Sequence, residues 1–140
     1  MATDTDTLTT EDLEFLARPL HGFLTVAGSP QPAQPRPVWF EATADGTVQL
    51  FTPSDSVKLR RLRRDPRASI VVAAPIGERE RWVSVTGRTT VEDDGARELA
   101  VRLAVRYWDL DERADDLAAM IADENVRVVL HPERVRRFAF

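Results

Sequence analysis

Residues 51–66 read Phe-Thr-Pro-Ser-Asp-Ser-Val-Lys-Leu-Arg-Arg-Leu-Arg-Arg-Asp-Pro and hold the most reactive pattern in the chain. Lys58 is the only lysine among nineteen basic residues. Ser54, Asp55 and Ser56 can cap a helix and Asp65-Pro66 stops one, so a short helix is predicted over about 56–64. At about 100° per residue, Leu62 falls near 40° and Leu59 near 100° from Lys58, with Arg61 near 300°. The leucines define a buried stripe, Lys58 sits at its edge, and Arg61 lies just beyond. Arg60, Arg63 and Arg64 turn further towards solvent. A cation in the first turn is disfavoured by the helix dipole, typically by about 0.3–1 kcal/mol, unless an anion joins it. Free N–H groups, a lysine and an arginine make a phosphate cradle, which hydroxyls of Thr52, Ser54 and Ser56 could complete. Two other readings stay open: a solvated arginine face balanced by Asp55 and Asp65, and, less well supported for want of interleaved aromatics, a nucleic-acid patch.

Little else in the chain suggests protein-borne catalysis. There is no cysteine, which excludes disulfides, thiolate metal sites and cysteine nucleophiles. His21 and His131 are far apart and lack metal-ligand spacing. Acid runs at 92–94, 109–112 and 123–124 read as caps and solvated turns. Residues 58–67 carry a local charge of +5 within a chain of net −4, so the remainder is strongly acidic and disfavours a dedicated nucleic-acid binder. No apolar run approaches the ~20 residues of a membrane span, and the acidic N-terminus is unlike a signal peptide. The expectation is a cytoplasmic protein with neither nucleic acid nor membrane as partner.

The elements around the basic helix follow from pattern. Residues 1–8 are expected to be a flexible N-terminus, and 9–140 one domain. Residues 9–18 read as a helix with Thr10 as N-cap. Strands are expected at 21–27, 37–43 and 47–52, the last two forming a hairpin around Asp45-Gly46. A proline-rich loop covers 28–35. Residues 68–74 are almost continuously apolar and read as a strand buried on both faces. Residues 80–91 follow as a long strand with Gly87 at a bulge or close approach. Two helices, over about 95–107 and 111–123, precede strands at 126–131 and 134–140, separated by Pro132. The class is α+β: six to seven mostly antiparallel strands with short helices, forming a small barrel.

The order of a strand, P-V-W-F, a hairpin, F-T-P-S, K-x-x-R-L-x-x-D-P, a V-V strand and a V-x-G strand resembles the pyridoxamine 5′-phosphate oxidase-like split-barrel flavoproteins. Within them it is most similar to the branch using the deazaflavin coenzyme F420, and the likeness spans residues 10–138. The resemblance implies a homodimer with cofactor sites at the interface. It places Arg36, Pro37, Val38, Trp39 and Phe40 along the ring system and Phe51 and Thr52 near the ribityl chain and phosphate. It makes Lys58 the phosphate lysine, with Ser54, Ser56 and Arg61 nearby, and brings Trp82 towards the ring. Tyr107-Trp108 could line the substrate side of a pocket or pack at the dimer interface, and the interface is favoured.

The implied activity is hydride transfer between coenzyme F420 and an unsaturated or carbonyl-containing small molecule, with no metal. Arg60, Arg63 and Arg64 could meet the cofactor's anionic oligoglutamate tail. FMN is the alternative cofactor, and a non-catalytic flavin- or haem-type binder the alternative role. The chain departs from true pyridoxamine phosphate oxidases by ending V-R-R-F-A-F, without the R-x-H-D-R type segment that binds the pyridoxal substrate.

Overall fold

A computed structural model describes every residue from Met1 to Phe140. Eight strands and four helices follow in chain order: β1 Ala2–Thr5, α1 Thr10–Leu16, β2 Gly22–Val26, β3 Arg36–Val38, β4 Glu41–Ala42, β5 Val48–Pro53, α2 Val57–Arg64, β6 Arg67–Ala73, β7 Arg81–Glu92, α3 Ala96–Tyr107, α4 Leu110–Ala122 and β8 Asn125–Ala139. The strands pair antiparallel in the order β3-β2-β6-β7-β8-β5-β4, with β1 added to β8. The edge strands β3 and β4 are consecutive in the chain, separated only by Trp39 and Phe40. Three residue steps span at most roughly 11 Å. The sheet must therefore curl until its two edges nearly meet, which makes a half-barrel with a split at Trp39-Phe40. No helix is long and apolar enough to cross a membrane.

Side chains pointing into the curl form one core of seventeen residues, including Phe40, Leu50, Ile70, Val85 and Leu130. Leu99 and Leu103 of α3 are also fully buried. The β6 strand corrects one expectation. Ala68, Ile70 and Val72 are buried while Val71 is 38% exposed, so its second face is outward rather than covered within the chain.

Four other expectations change. Residues 1–8 are not structureless, because Ala2–Thr5 pairs with Val135–Phe138 through backbone bonds that need no apolar side chains. The 37–43 strand divides: Val38 pairs with Gly22 of β2, whereas Glu41 pairs with Gln49 of β5. Crossing the split forces that break. Pro132 does not interrupt β8, which runs through it opposite Gly87 at a register shift, where a missing N–H is tolerated. Thr9, not Thr10, caps α1, in a reciprocal box with Asp12.

Asp12 also joins α1 to the sheet. It is 1% exposed, and its carboxylate accepts from Arg137 Nε at 2.9 Å and Nη2 at 2.6 Å. Burial pushes the carboxyl upward, but the bonds from Arg137 and Thr9 outweigh it and hold it below its ordinary value. A depressed carboxyl stabilises the fold above its unfolded value, and that stability is lost as pH falls through the folded value. Asp12→Ala is expected to cost about 3 kcal/mol at neutral pH, by leaving a largely buried guanidinium unpaired. Urea unfolding should show the gap to wild type narrowing as pH falls below the carboxyl range.

Candidate functional site

The α2 helix is fixed by its cap and its leucines. Ser56 Oγ accepts from Leu59 N at 3.1 Å and from Thr52 Oγ1 at 2.8 Å. Leu59 and Leu62 are each 2% exposed, as the buried stripe requires. With that face inward, Lys58 and Arg61 flank the split side of the barrel. The outward arginines behave as expected: Arg60 donates to Asp55 O, Arg64 donates to Gly28 O, and Arg63 is exposed.

Two cavities meet at Lys58. The first, about 320 Å³, has Leu24 and Val26 of β2 and Val57 of α2 as its apolar walls. Lys58, Arg61 and Arg36 supply three cations to it, and Ser29 and Gln34 of the proline-rich loop complete it without any carboxylate. The second, about 290 Å³, is apolar apart from Lys58. Pro37, Val38, Trp39 and Phe51 line it from the barrel, Trp108 and Met120 from the helices.

The three cations are unpaired. Nine other arginines form ion pairs, but neither Lys58, Arg36 nor Arg61 does. The chain has acids to spare and places none here. Burial alone pushes the Lys58 ammonium below its ordinary value, with no carboxylate to restore it. A half-buried cation facing two cavities without a counter-ion is what an anion-binding site requires. The solvated-face reading accounts for Arg63 but not for Lys58.

The aromatic wall is interlocked. Trp39 stacks on Tyr107 at 5.0 Å and 2°, and meets Trp108 edge-on at 4.7 Å. Arg113 lies over the Trp108 ring at 4.2 Å. The Tyr107 hydroxyl donates to Leu20 O at 2.6 Å, and burial pushes its pKa up, so it remains a neutral strut.

Of the residues singled out from sequence, Arg36, Pro37, Val38, Trp39, Phe51, Lys58 and Arg61 converge on these cavities. Five do not. The Phe40 side chain is fully buried in the core, and its carbonyl accepts from Arg106 at 2.9 Å. Thr52 is buried and its hydroxyl is spent on Ser56, which is itself the cap. Ser54 lies in a separate acidic hollow with Asp55, Asp123 and Glu124. Trp82 stacks on Phe138 at 6.2 Å and lines neither cavity within one chain.

Within one chain Trp108 lines the apolar cavity, the other of the two placements open to it from sequence. Met120, Ser29 and Gln34 join the site without a signal in the sequence pattern. Ser29 and Gln34 sit in a loop with no periodicity to orient them, and Met120 looks like any apolar helix residue until α4 is placed.

A curled antiparallel sheet split beside a capped basic helix defines the split-barrel class. The chain belongs to the pyridoxamine 5′-phosphate oxidase family, whose model matches residues 8–138. A conserved hypothetical protein from Mycobacterium tuberculosis is 25% identical, with TM-score 0.74 over 96% of this chain and 88% of that one. An F420 reductase is 22% identical, with TM-score 0.69 over 87% of this chain and 93% of its own. An FAD-binding protein from Mesorhizobium loti is 16% identical, with TM-score 0.61 over 98% and 96% of the two chains. No curated protein matches the sequence.

Proposed function

We propose that the chain is an oxidoreductase that transfers a hydride between coenzyme F420 and an unsaturated or carbonyl-bearing small molecule. The observation that carries this reading is the junction at Lys58, where three cations without a counter-ion meet an apolar cavity walled by aromatic rings. A ligand fitting both halves has an anionic group and a flat ring joined by a short linker. Family membership and the fold shared with an F420 reductase support a deazaflavin in that role. FMN has the same two parts and is the alternative. The outward arginines on α2 favour F420, whose acidic tail extends beyond the phosphate; FMN lacks this tail.

When bound, such a cofactor supplies the hydride chemistry, and the chain supplies binding, orientation and shielding. Lys58, Arg36 and Arg61 hold the anion. Trp39, fixed by Tyr107 and Trp108, offers a flat wall to the ring. Phe51, Val38 and Met120 exclude water from it. Apart from Lys58 no wall of this cavity carries a titratable group, so the protein's contribution there is shape.

The reading includes a cytoplasmic homodimer. Phe23 and Val71 face each other on the outer sheet, 45% and 38% exposed, beside Pro37, which also lines the apolar cavity. A second copy seated on that face borders the cavity, and Trp82 lies on the same face. Titration with F420 and FMN separately should give at least about tenfold tighter binding of F420. Reduced F420 should then be oxidised by menadione only when protein is present. Tighter FMN binding supports the FMN alternative; tight binding without turnover of any acceptor supports a non-catalytic binder.

A further inference from the structure

The walls of the apolar cavity are not held equally firmly. Val38 and Phe51 sit in paired strands, against Gly22 and Arg127. Trp39 and Trp108 are locked by mutual contact and by Tyr107 and Arg113. Met120 differs, because α4 has no buried residue along its thirteen. Arg113 also breaks the helical geometry at φ −117° and ψ 20°, so the start of α4 is not continuous with the rest. Beyond Met120 the chain is held again: Asn125 Nδ2 donates to Met120 O and to Asp123 O, both at 3.1 Å. The Met120 backbone is thus tethered, while its side chain faces the cavity from the least packed element around it. Methionine is unbranched and polarizable, and it adapts to irregular apolar surfaces.

Resting on the ring-binding reading above, we propose that Met120 is the specificity-determining residue of this cavity and sets the size of ring it admits. The ligands selected are flat, uncharged, unsaturated rings, because the six remaining walls offer aromatic and aliphatic surface and a single cation. A larger side chain at position 120 narrows the one compliant wall, and a smaller one leaves a bicyclic ring loosely held.

The test is calorimetric titration of wild type, Met120→Phe, Met120→Ala and Met120→Leu with tricyclic lumiflavin and bicyclic menadione. Neither probe carries a phosphate, so the Lys58 anchor does not enter the comparison. Met120→Phe is expected to weaken lumiflavin at least about tenfold while changing menadione by less than about threefold. Met120→Ala should weaken menadione more than lumiflavin, and Met120→Leu should keep the wild-type ratio. Thermal melts check that the variants fold; should the phenylalanine variant fail, the alanine and leucine variants decide. Equal factors for both probes in every folded variant overturn the Met120 assignment alone. Wild type that binds none of lumiflavin, FMN and F420 overturns the ring-binding reading, and the assignment with it; wild type that binds F420 but neither lumiflavin nor menadione overturns the assignment alone.

Discussion

Lys58→Ala is expected to weaken FMN binding by about 40–150-fold and leave riboflavin binding unchanged. The two ligands share a ring and differ by the phosphate, so the difference isolates the anion contact. A hydrogen bond to a charged group contributes about 1.5–3 kcal/mol, and the upper half of that range gives the stated factor. The upper half is appropriate because Lys58 is partly desolvated and has no competing carboxylate. The same burial sets the pH dependence. The ammonium lies below its ordinary value in the free protein, and an adjacent phosphate favours the charged form. FMN affinity should therefore fall as pH rises through the depressed Lys58 value, with proton uptake on binding in that window. Arg63→Ala is the control: its side chain is exposed and outside both cavities, so it should change FMN affinity by less than about threefold. Equal losses in the two variants would mean diffuse attraction rather than an anchor.

Gly87→Ala should be the most destabilising single-methyl change in the chain, costing about 4 kcal/mol or more. A Cβ at Gly87 would lie 1.9 Å from His131 O and 2.9 Å from its carbonyl carbon. Both are backbone atoms of the partner strand, and no rotamer change can relieve them. The β7–β8 ladder must open at its bulge, in the longest pairing of the sheet. Against a typical total of about 5–15 kcal/mol, that loss removes about a quarter of the stability at the upper end and most of it at the lower. Gly46→Ala separates the two ways a glycine can be required. Gly46 has φ +85°, and a methyl group there would meet nothing within 4 Å, so only the left-handed backbone penalty of about 1–2 kcal/mol applies. Urea unfolding of both variants ranks them. A Gly87→Ala protein as stable as Gly46→Ala would mean the register at Thr86/Gly87 is wrong.

These two positions show what is legible in the chain. Lys58 stands out because one lysine among many arginines sits at the edge of a leucine stripe, and helical periodicity is a local property that survives folding. Gly87 stands out because glycine weakens a strand unless something must come close to it. The convergence of Arg36–Trp39 on Lys58 comes from the order of motifs, since no periodicity joins a strand edge to a helix twenty residues later.

What stays hidden is long-range. The curl that brings β3 beside β4 splits the expected 37–43 strand, and that geometry is set by closure rather than by residues 37–43 themselves. Pattern does not show the local bonds of the hydroxyls either: Thr52 donates to Ser56, which caps the helix start, a local competition that spacing does not resolve. Trp108 and Met120 join the site only because α3 and α4 fold back over the split. Strand β1 forms from polar residues because strand addition uses the backbone.

The most direct test is a crystal structure of the protein soaked or grown with F420 or FMN. The expected result has the phosphate within hydrogen-bond distance of Lys58 Nζ, in the cavity shared with Arg36 and Arg61, and the ring in the cavity walled by Trp39, Phe51 and Trp108. A ligand phosphate held elsewhere, with Lys58 left untouched, would contradict the anchor.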